Sequence, residues 1–114
     1  SRPVSQAVRC SFEIVWKDVC CAQQAEQLFQ TPMAIEKRSK RGSKVIALRD
    51  YIHELSFSQQ GGDTVCRCTL RAGEDPLNPH YLTDALVQGK VLPQDVAAQY
   101  TRCAILDENG KEFF

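Results

Sequence analysis

Hydrophobic and polar residues alternate along the segment RCSFEIVW, residues 9–16. Residues two apart in a strand point to the same side of a sheet, so this segment presents one apolar side and one polar side. The apolar side consists of Cys10, Phe12, Ile14 and Trp16. The alternation therefore predicts a strand with one face in the core.

The next segment, CCAQQAEQLFQ, has the spacing of a helix. Its apolar residues form one helical stripe: Cys21, Ala25, Leu28 and Phe29. Asp18 is expected to cap this helix at its N-terminus. Thr31 and Pro32 are expected to end it, because the residue before a proline avoids the helical conformation.

Two hairpins are expected in the middle of the chain. Strands are predicted over residues 33–39 and 44–52, with a turn at Gly42 between them and a short helical turn as an alternative for the end of the second segment. In that second segment Leu48, Tyr51 or Ile52 is expected to be substantially buried. Gly61-Gly62 then separates two further segments and predicts a second hairpin.

A second helix is expected after Asn78 and Pro79, which suit an N-cap and a first helical position. Its apolar side is expected to hold Leu82, Ala85 and Leu86, with Gly89 as the stop. Residues 99–106 predict the last strand and residues 107–110 a closing turn.

The predicted order of elements is therefore β-α-β-β-β-β-α-β. Helices inserted into mostly antiparallel strands suggest an α+β fold. We expect a ferredoxin-like two-layer sandwich, with two helices on one face of the sheet and an extra hairpin. A length of 114 residues fits one domain, assigned to residues 9–114, with residues 1–8 as an N-terminal tail or expression remnant.

Charge and hydropathy exclude several classes of protein. The 14 basic side chains balance the 14 acidic ones, so the chain is no strongly basic nucleic-acid module, and any charged partner must be met by a local patch. No apolar run reaches the roughly 18 residues of a membrane span, and the N-terminus lacks the apolar core of a signal peptide. The cytoplasm is the expected location.

The cysteines are Cys10, Cys20, Cys21, Cys66, Cys68 and Cys103. An even number in a short chain is compatible with a disulfide framework. Cys10, Cys66, Cys68 and Cys103, however, fall on the apolar sides of predicted strands, which favours reduced core thiols. The spacing of Cys66 and Cys68 does not match the usual zinc-binding pairs, so no metal or cofactor is expected. A small metal or redox module that uses this pair is a weaker alternative.

No catalytic motif is present: the chain lacks a phosphate-binding P-loop, a nucleophile elbow and the radical-SAM cysteine signature. The weak catalytic candidates are His53, Asp50 and Arg49, which lie together at the end of a predicted element. Glu74 and Asp75 lie among turn-forming residues, so they are interpreted as turn residues.

The segment KRSKRGSK is the most unusual feature in this neutral chain. Its cations are Lys37, Arg38, Lys40, Arg41 and Lys44, on both sides of a predicted turn. A cationic hairpin tip suits an RNA phosphate backbone, and Arg67, Arg71 and Arg102 would extend the patch if their strands were neighbours. The alternative is a solvated edge, with lysines that discourage pairing between edges.

Several segments resemble a known family. VIALRDYIHEL, LRAG followed by NPHYLTDAL, YTRCAIL and FEIVWKD with AEQLFQTPMAIEKRSKRG are similar to motifs of the bacterial radical-SAM-linked proteins. The similarity covers about residues 10–110 and only the C-terminal half of such a protein. Ala47 and Asp50 depart from the family's Asp and Pro.

The resemblance implies a cytosolic bacterial domain, fused or adjacent to a radical-SAM enzyme, with no settled activity. The first hypothesis is an accessory or interaction domain that contacts RNA through the basic hairpin. The second is an enzyme fragment whose active site lies partly in a missing N-terminal half, with His53, Asp50 and Arg49 as local candidates.

Overall fold

The computed structural model describes residues 8–107 and 109–112. Within these residues the elements follow the predicted order. They are β1 (Arg9–Trp16), α1 (Ala22–Phe29), β2 (Ala34–Ser39), β3 (Gly42–Ala47), a 3-10 turn (Leu48–Tyr51), β4 (Ile52–Gln60), β5 (Asp63–Arg71), α2 (His80–Gln88) and β6 (Ala98–Leu106). The predicted N-terminal tail lies outside the described residues apart from Val8, and the predicted closing turn includes Glu108, which also lies outside them.

Four of the strands form one antiparallel sheet in the order β4-β5-β1-β6. The β2 and β3 strands pair only with each other and form a separate antiparallel hairpin. The chain is thus an α+β protein with two helices and a mostly antiparallel sheet, as its sequence predicts. The β2–β3 hairpin, which lies outside the four-stranded sheet, is the extra hairpin that the sequence predicts.

One face of the sheet forms the core together with both helices. The predicted apolar side of β1 lies there: Ile14 and Trp16 are fully buried, and the Trp16 ring stacks on Phe57 of β4 at 6.2 Å between centroids. Ala25 of α1 and Leu82 of α2 belong to the same buried cluster. The alternation in β1 and the helical stripes therefore meet in a single core.

The segment between the hairpin and β4 is anchored in this core. Leu48 and Tyr51 are buried and Ile52 is half-buried, which confirms the predicted burial of this segment. The Leu48 N–H also donates to the Met33 carbonyl at 2.9 Å, just before β2 begins. The base of the hairpin is thereby fixed at both of its ends.

The predicted cap of α1 is wrong. The helix begins at Ala22, and Asp18 lies in a turn with a positive φ of 57°. The Asp18 N–H donates to Asp63 at 2.8 Å, and the Ala22 N–H donates to the Gln59 side chain at 2.8 Å. Partners on β4 and β5, far along the chain, thus take the place of a local cap.

The second helix follows its predicted signals closely. The helix begins at His80, one residue later than expected, with Pro79 as its N-cap, and the Asn78 side chain accepts the N–H of His80 at 3.0 Å. Leu82, Ala85 and Leu86 are buried, and Gly89 ends the helix.

All six cysteines are free thiols, and four of them are buried. Cys20 and Cys103 are exposed, so the expected inward position of Cys103 is wrong. The register between β1 and β6 shifts at this point: Ser11 lies opposite Ala104, but Phe12 lies opposite Arg102. Cys103 is the extra residue of this bulge, and a bulge breaks the alternation of sides in a strand.

Candidate functional site

The basic segment forms the two strands and the tip of the β2–β3 hairpin. Lys40 and Arg41 connect the strands, and Lys37 lies directly opposite Lys44. Alternation places both lysines on the inner side of the hairpin, together with the buried Ile35 and Ile46. Lys37 is only 5% exposed, so one of the five predicted RNA-binding cations lies inside the protein.

A single carboxylate, that of Asp75, lies between these two lysines. Its oxygens are 3.1 Å from the Lys37 Nζ and 2.9 Å from the Lys44 Nζ. Arg71 approaches it at 3.3 Å, and the Tyr51 hydroxyl donates a hydrogen bond to it. Asp75 thus joins the hairpin, the 3-10 turn, β5 and the loop before α2.

The electrostatic reason for this cluster lies in the hairpin itself. Two ammonium groups directly opposite each other on paired strands repel, and a carboxylate between them compensates. The Tyr51 hydrogen bond, followed by those from Lys44 and Lys37, holds the pKa of Asp75 well below its usual range. The hydrogen bond to Asp75 in turn raises the pKa of Lys44. Asp75 is therefore ionised and Lys44 is charged at neutral pH.

Arg71 is held by two further contacts. Its guanidinium lies 3.9 Å from the centroid of the Tyr51 ring and donates to the Asp50 carbonyl at 3.0 Å. These contacts fix the guanidinium beside the carboxylate. The cluster around Asp75 consequently has three cations for one carboxylate.

An open cavity of about 880 Å³ lies between the hairpin and the loop that carries Asp75. Four cations and two carboxylates line it: Lys37, Lys40, Arg41, Lys44, Glu74 and Asp75. Small residues complete the wall, among them Gly42, which has a φ of +112° and open space on the side where a Cβ would stand. The cavity is thus concave and carries more positive than negative side chains, which suits an anion.

The fifth predicted cation, Arg38, points away from the cavity. Its side chain is 82% exposed and lies 3.7 Å from Glu36 on the outer side of β2. The backbone N–H of Arg38 donates to the Tyr81 hydroxyl at 3.0 Å, which connects β2 to α2. The five cations therefore divide into Lys40 and Arg41 at the tip, Lys37 and Lys44 at Asp75, and Arg38 on the outside.

The three arginines that were expected to extend the patch do not form one surface. Arg71 joins the Asp75 cluster, as described above. Arg67 is paired with Glu13 at 3.1 Å on the outer side of the sheet. Arg102 lies on β6, opposite Phe12, and so on the other side of the sheet. Of these three arginines, only Arg71 therefore adds to the cations of the hairpin.

The catalytic candidates lie at a different place. Asp50 and His53 line a small cavity of about 190 Å³ together with Arg9 and Arg71, whereas Arg49 lines another one. The His53 Nε2 lies 2.7 Å from the Arg9 guanidinium. Arginine can only donate, so the lone pair of this nitrogen is occupied. A catalytic role of His53, Asp50 and Arg49 stays a prediction. The contact with Arg9 does not favour His53 as a base.

Two other features are a large groove with few charged residues and a buried pair of cysteines. A larger groove of about 1250 Å³ lies between α2 and β6, but Asp84 and Lys90 are the charged residues among those that line it. Cys66 and Cys68 are buried side by side in β5, and the hydrogen bond with Cys68 together with burial raises the pKa of the Cys66 thiol.

Among residues 8–107 and 109–112, no group of three His, Cys, Asp or Glu side chains could hold a metal ion. Neither helix in the described part of the chain is long and apolar enough to cross a membrane.

Reasoning from the sequence missed Asp75 and Tyr51 as members of the site, whereas Arg71 was already named as a possible extension of the basic patch. Asp75 was assigned to a turn, and it does lie in a loop. One signal was available: Lys37 falls in phase with Ile35 on the inward side of a predicted strand. A lysine at a buried position requires an acidic partner elsewhere in the chain.

No protein-family model matches the chain, and no curated protein or solved structure gives a significant match.

Proposed function

We propose that this chain is an accessory domain of a radical-SAM-linked bacterial protein, located in the cytoplasm, and that it contacts RNA through the β2–β3 hairpin. The observation that carries the RNA contact is the cavity beside the hairpin, where four cations and two carboxylates leave an excess of positive charge. This excess is local, since the whole chain is neutral. A neutral protein with one cationic cavity suits a partner that brings concentrated negative charge.

The family assignment rests on the motifs. LRDYI forms the 3-10 turn and the start of β4, and LRAG and NPHYLTDAL flank the Asp75 loop. Of the segments that resemble the family, AEQLFQTPMAIEKRSKRG supplies several residues that line the cavity, and LRAG supplies Gly73. This position supports a binding role for these two segments.

The strand order supports a ferredoxin-like arrangement. Without the β2–β3 hairpin, the four remaining strands occur along the chain in the order β1, β4, β5, β6. Across the sheet they lie in the order β6, β1, β5, β4, which is the 4-1-3-2 order of a ferredoxin-like sheet. Along the chain, helix α1 lies between β1 and β4, and helix α2 lies between β5 and β6. This β-α-β-β-α-β plan is shared by many domains of unrelated function, so it adds little to the argument for RNA.

Contact with phosphates, and not with bases, is the expected mode of binding. Among the described residues, the outer side of the four-stranded sheet carries no Phe, Tyr or Trp on which a base could stack. Trp16 is buried against α2, where its Nε1 donates to Thr83 at 2.9 Å. The exposed Lys40 and Arg41 are then the first groups to meet a phosphate backbone.

Filter binding to a mixed pool of single-stranded RNA at low ionic strength tests this proposal. We expect weak, salt-sensitive binding, and the double variant Lys40→Ala/Arg41→Ala should flatten the salt slope by on the order of one unit. The matched control is Arg102→Ala/Lys111→Ala, which removes the same charge from exposed positions on or beside β6. Absence of binding at low salt, or equal effects of the two double variants, would contradict the proposal.

A further inference from the structure

We infer that the cavity beside the hairpin receives a phosphomonoester, namely the terminal phosphate of an RNA strand, in preference to an internal phosphodiester. This inference rests on the proposed RNA contact and specifies the part of the RNA that enters the cavity.

The charge of the cavity supports a dianion. Its four cations and two carboxylates leave a surplus of two positive charges. A phosphomonoester carries a charge of about −1.5 to −2 at neutral pH, with three acceptor oxygens, whereas an internal phosphodiester carries one negative charge. A terminal phosphate therefore balances the surplus, and an internal one leaves part of it unpaired.

The donors in the cavity wall are already positioned. The Nζ atoms of Lys37 and Lys44 both lie within 3.1 Å of the same carboxylate, so they are close to each other. An ammonium group has three N–H donors, and Asp75 occupies only part of this capacity. Because Lys37 is buried, its charge is weakly screened by water and its side chain loses little further freedom when an anion binds.

The walls of the cavity come from two segments of the chain. It is bounded by the hairpin on one side and by the loop of Gly73, Glu74, Asp75 and Pro76 on the other. An internal phosphate must enter with the RNA chain continuing in two directions, whereas a terminal phosphate enters with the chain on one side only. At the rim, Lys40 and Arg41 are placed to contact the next phosphates of the strand.

The test compares one short single-stranded RNA in three forms: with a 5′-phosphate, with a 3′-phosphate, and with hydroxyls at both ends. Fluorescence anisotropy at pH 7.5 should show about tenfold tighter binding for at least one phosphorylated end, as expected for added hydrogen bonds to charged groups. A nucleoside monophosphate should compete with that RNA more strongly than the nucleoside does. The preference should shrink at pH 5.5, because the second pKa of a phosphomonoester is about 6 and the residues lining the cavity include no histidine.

Variants of Lys44 locate the effect in the cavity. Lys44→Gln should reduce the preference for the terminal phosphate to below about threefold, and Lys44→Arg should retain most of it. Arg38→Gln is the matched control, because it removes one positive charge from the outer side of the same hairpin. Far-UV circular dichroism of each variant ensures that the comparison is made between folded proteins.

The outcomes separate this inference from the proposed function. Equal binding of all three RNAs, with a loss on Lys40→Ala/Arg41→Ala, would overturn the inference and leave the RNA contact standing. No binding of any RNA would overturn both. An equal loss of the preference in Lys44→Gln and Arg38→Gln would overturn the assignment to the cavity.

Discussion

Replacing Asp75 by Asn removes one negative charge from the centre of the hairpin cluster and changes little else. Asparagine has nearly the same shape, and its carbonyl oxygen can still accept the Tyr51 hydroxyl. The variant leaves Lys37, at 5% exposure, facing Lys44 without a counter-charge. We therefore expect Asp75→Asn to destabilise the fold while the hydrogen-bond geometry is largely kept.

The size of the effect follows from how much of each partner is buried. Breaking a fully buried ion pair on one side costs about 3–5 kcal/mol, whereas exposed pairs contribute about 0–1 kcal/mol. Lys37 is buried, but the Asp75 side chain is 34% exposed, so solvent screens part of the interaction. We expect a loss of about 2 kcal/mol in the free energy of unfolding at pH 7, between these two limits.

The pH dependence gives the prediction a second, independent readout. Asp75 has a lowered pKa in the folded state, whereas an Asp in an unfolded chain titrates near 3.9. A group of this kind stabilises the fold fully above its unfolded pKa, and the contribution is lost as the pH falls towards the folded pKa. The difference between the wild type and Asp75→Asn should thus be constant from about pH 5 to pH 7 and shrink below about pH 4.

Urea unfolding followed by circular dichroism measures this difference, since urea, unlike guanidinium chloride, does not screen charges. With a slope of about 1–2 kcal/mol per molar, the midpoint should fall by about 1–2 M. The control is Glu74→Gln, which makes the same change of charge at the exposed neighbouring residue and should shift the midpoint little. Equal midpoints for the wild type and Asp75→Asn at pH 7 would show that the carboxylate does not hold the hairpin, and the role assigned to the cluster would be refuted.

Three further predictions concern the core and the thiols. Leu48→Ala should cost about 2–5 kcal/mol because Leu48 is buried; an unchanged urea midpoint would contradict its place in the core. Gly89→Ala places a Cβ 2.5 Å from the Leu28 Cδ2, so it should cost about 1–3 kcal/mol, and Leu28→Ala in the same chain should relieve part of the loss; additive losses would contradict this contact. With a thiol reagent under native conditions, Cys20 and Cys103 should react rapidly and the other four cysteines only after unfolding; a different fast pair on peptide mapping would contradict the described burial.

The local patterns of this chain were sufficient to predict its elements. Alternation over residues 9–16 reflects the two-residue period of a strand, and the stripe that ends at Phe29 reflects the 3.6-residue period of a helix. Both are properties of the backbone over a few residues, and so they can be seen without knowledge of the rest of the chain. The hairpin at Gly61-Gly62 was predictable for the same reason, since its φ of +59° at Gly61 favours glycine.

Features that depend on distant residues escaped the patterns. The start of α1 was misplaced because the Ala22 N–H is satisfied by the Gln59 side chain on β4, and not by a residue beside it in the chain. Cys103 was assigned to the wrong side because a bulge against β1 interrupts the alternation of β6. The sequence of β6 alone contains no signal for this bulge.

The candidate site shows the same division. The sequence by itself determined that the hairpin carries five cations, because charge is a property of each residue and does not depend on the rest of the chain. Only the tertiary structure decided that Asp75, which is 31 residues beyond Lys44, lies between the two lysines. That position depends on the hairpin folding back on the loop before α2, and a contact of this kind is selected by the free energy of the whole fold. Whether the basic segment forms a solvated edge or an organised cationic cavity is therefore decided by packing across the chain.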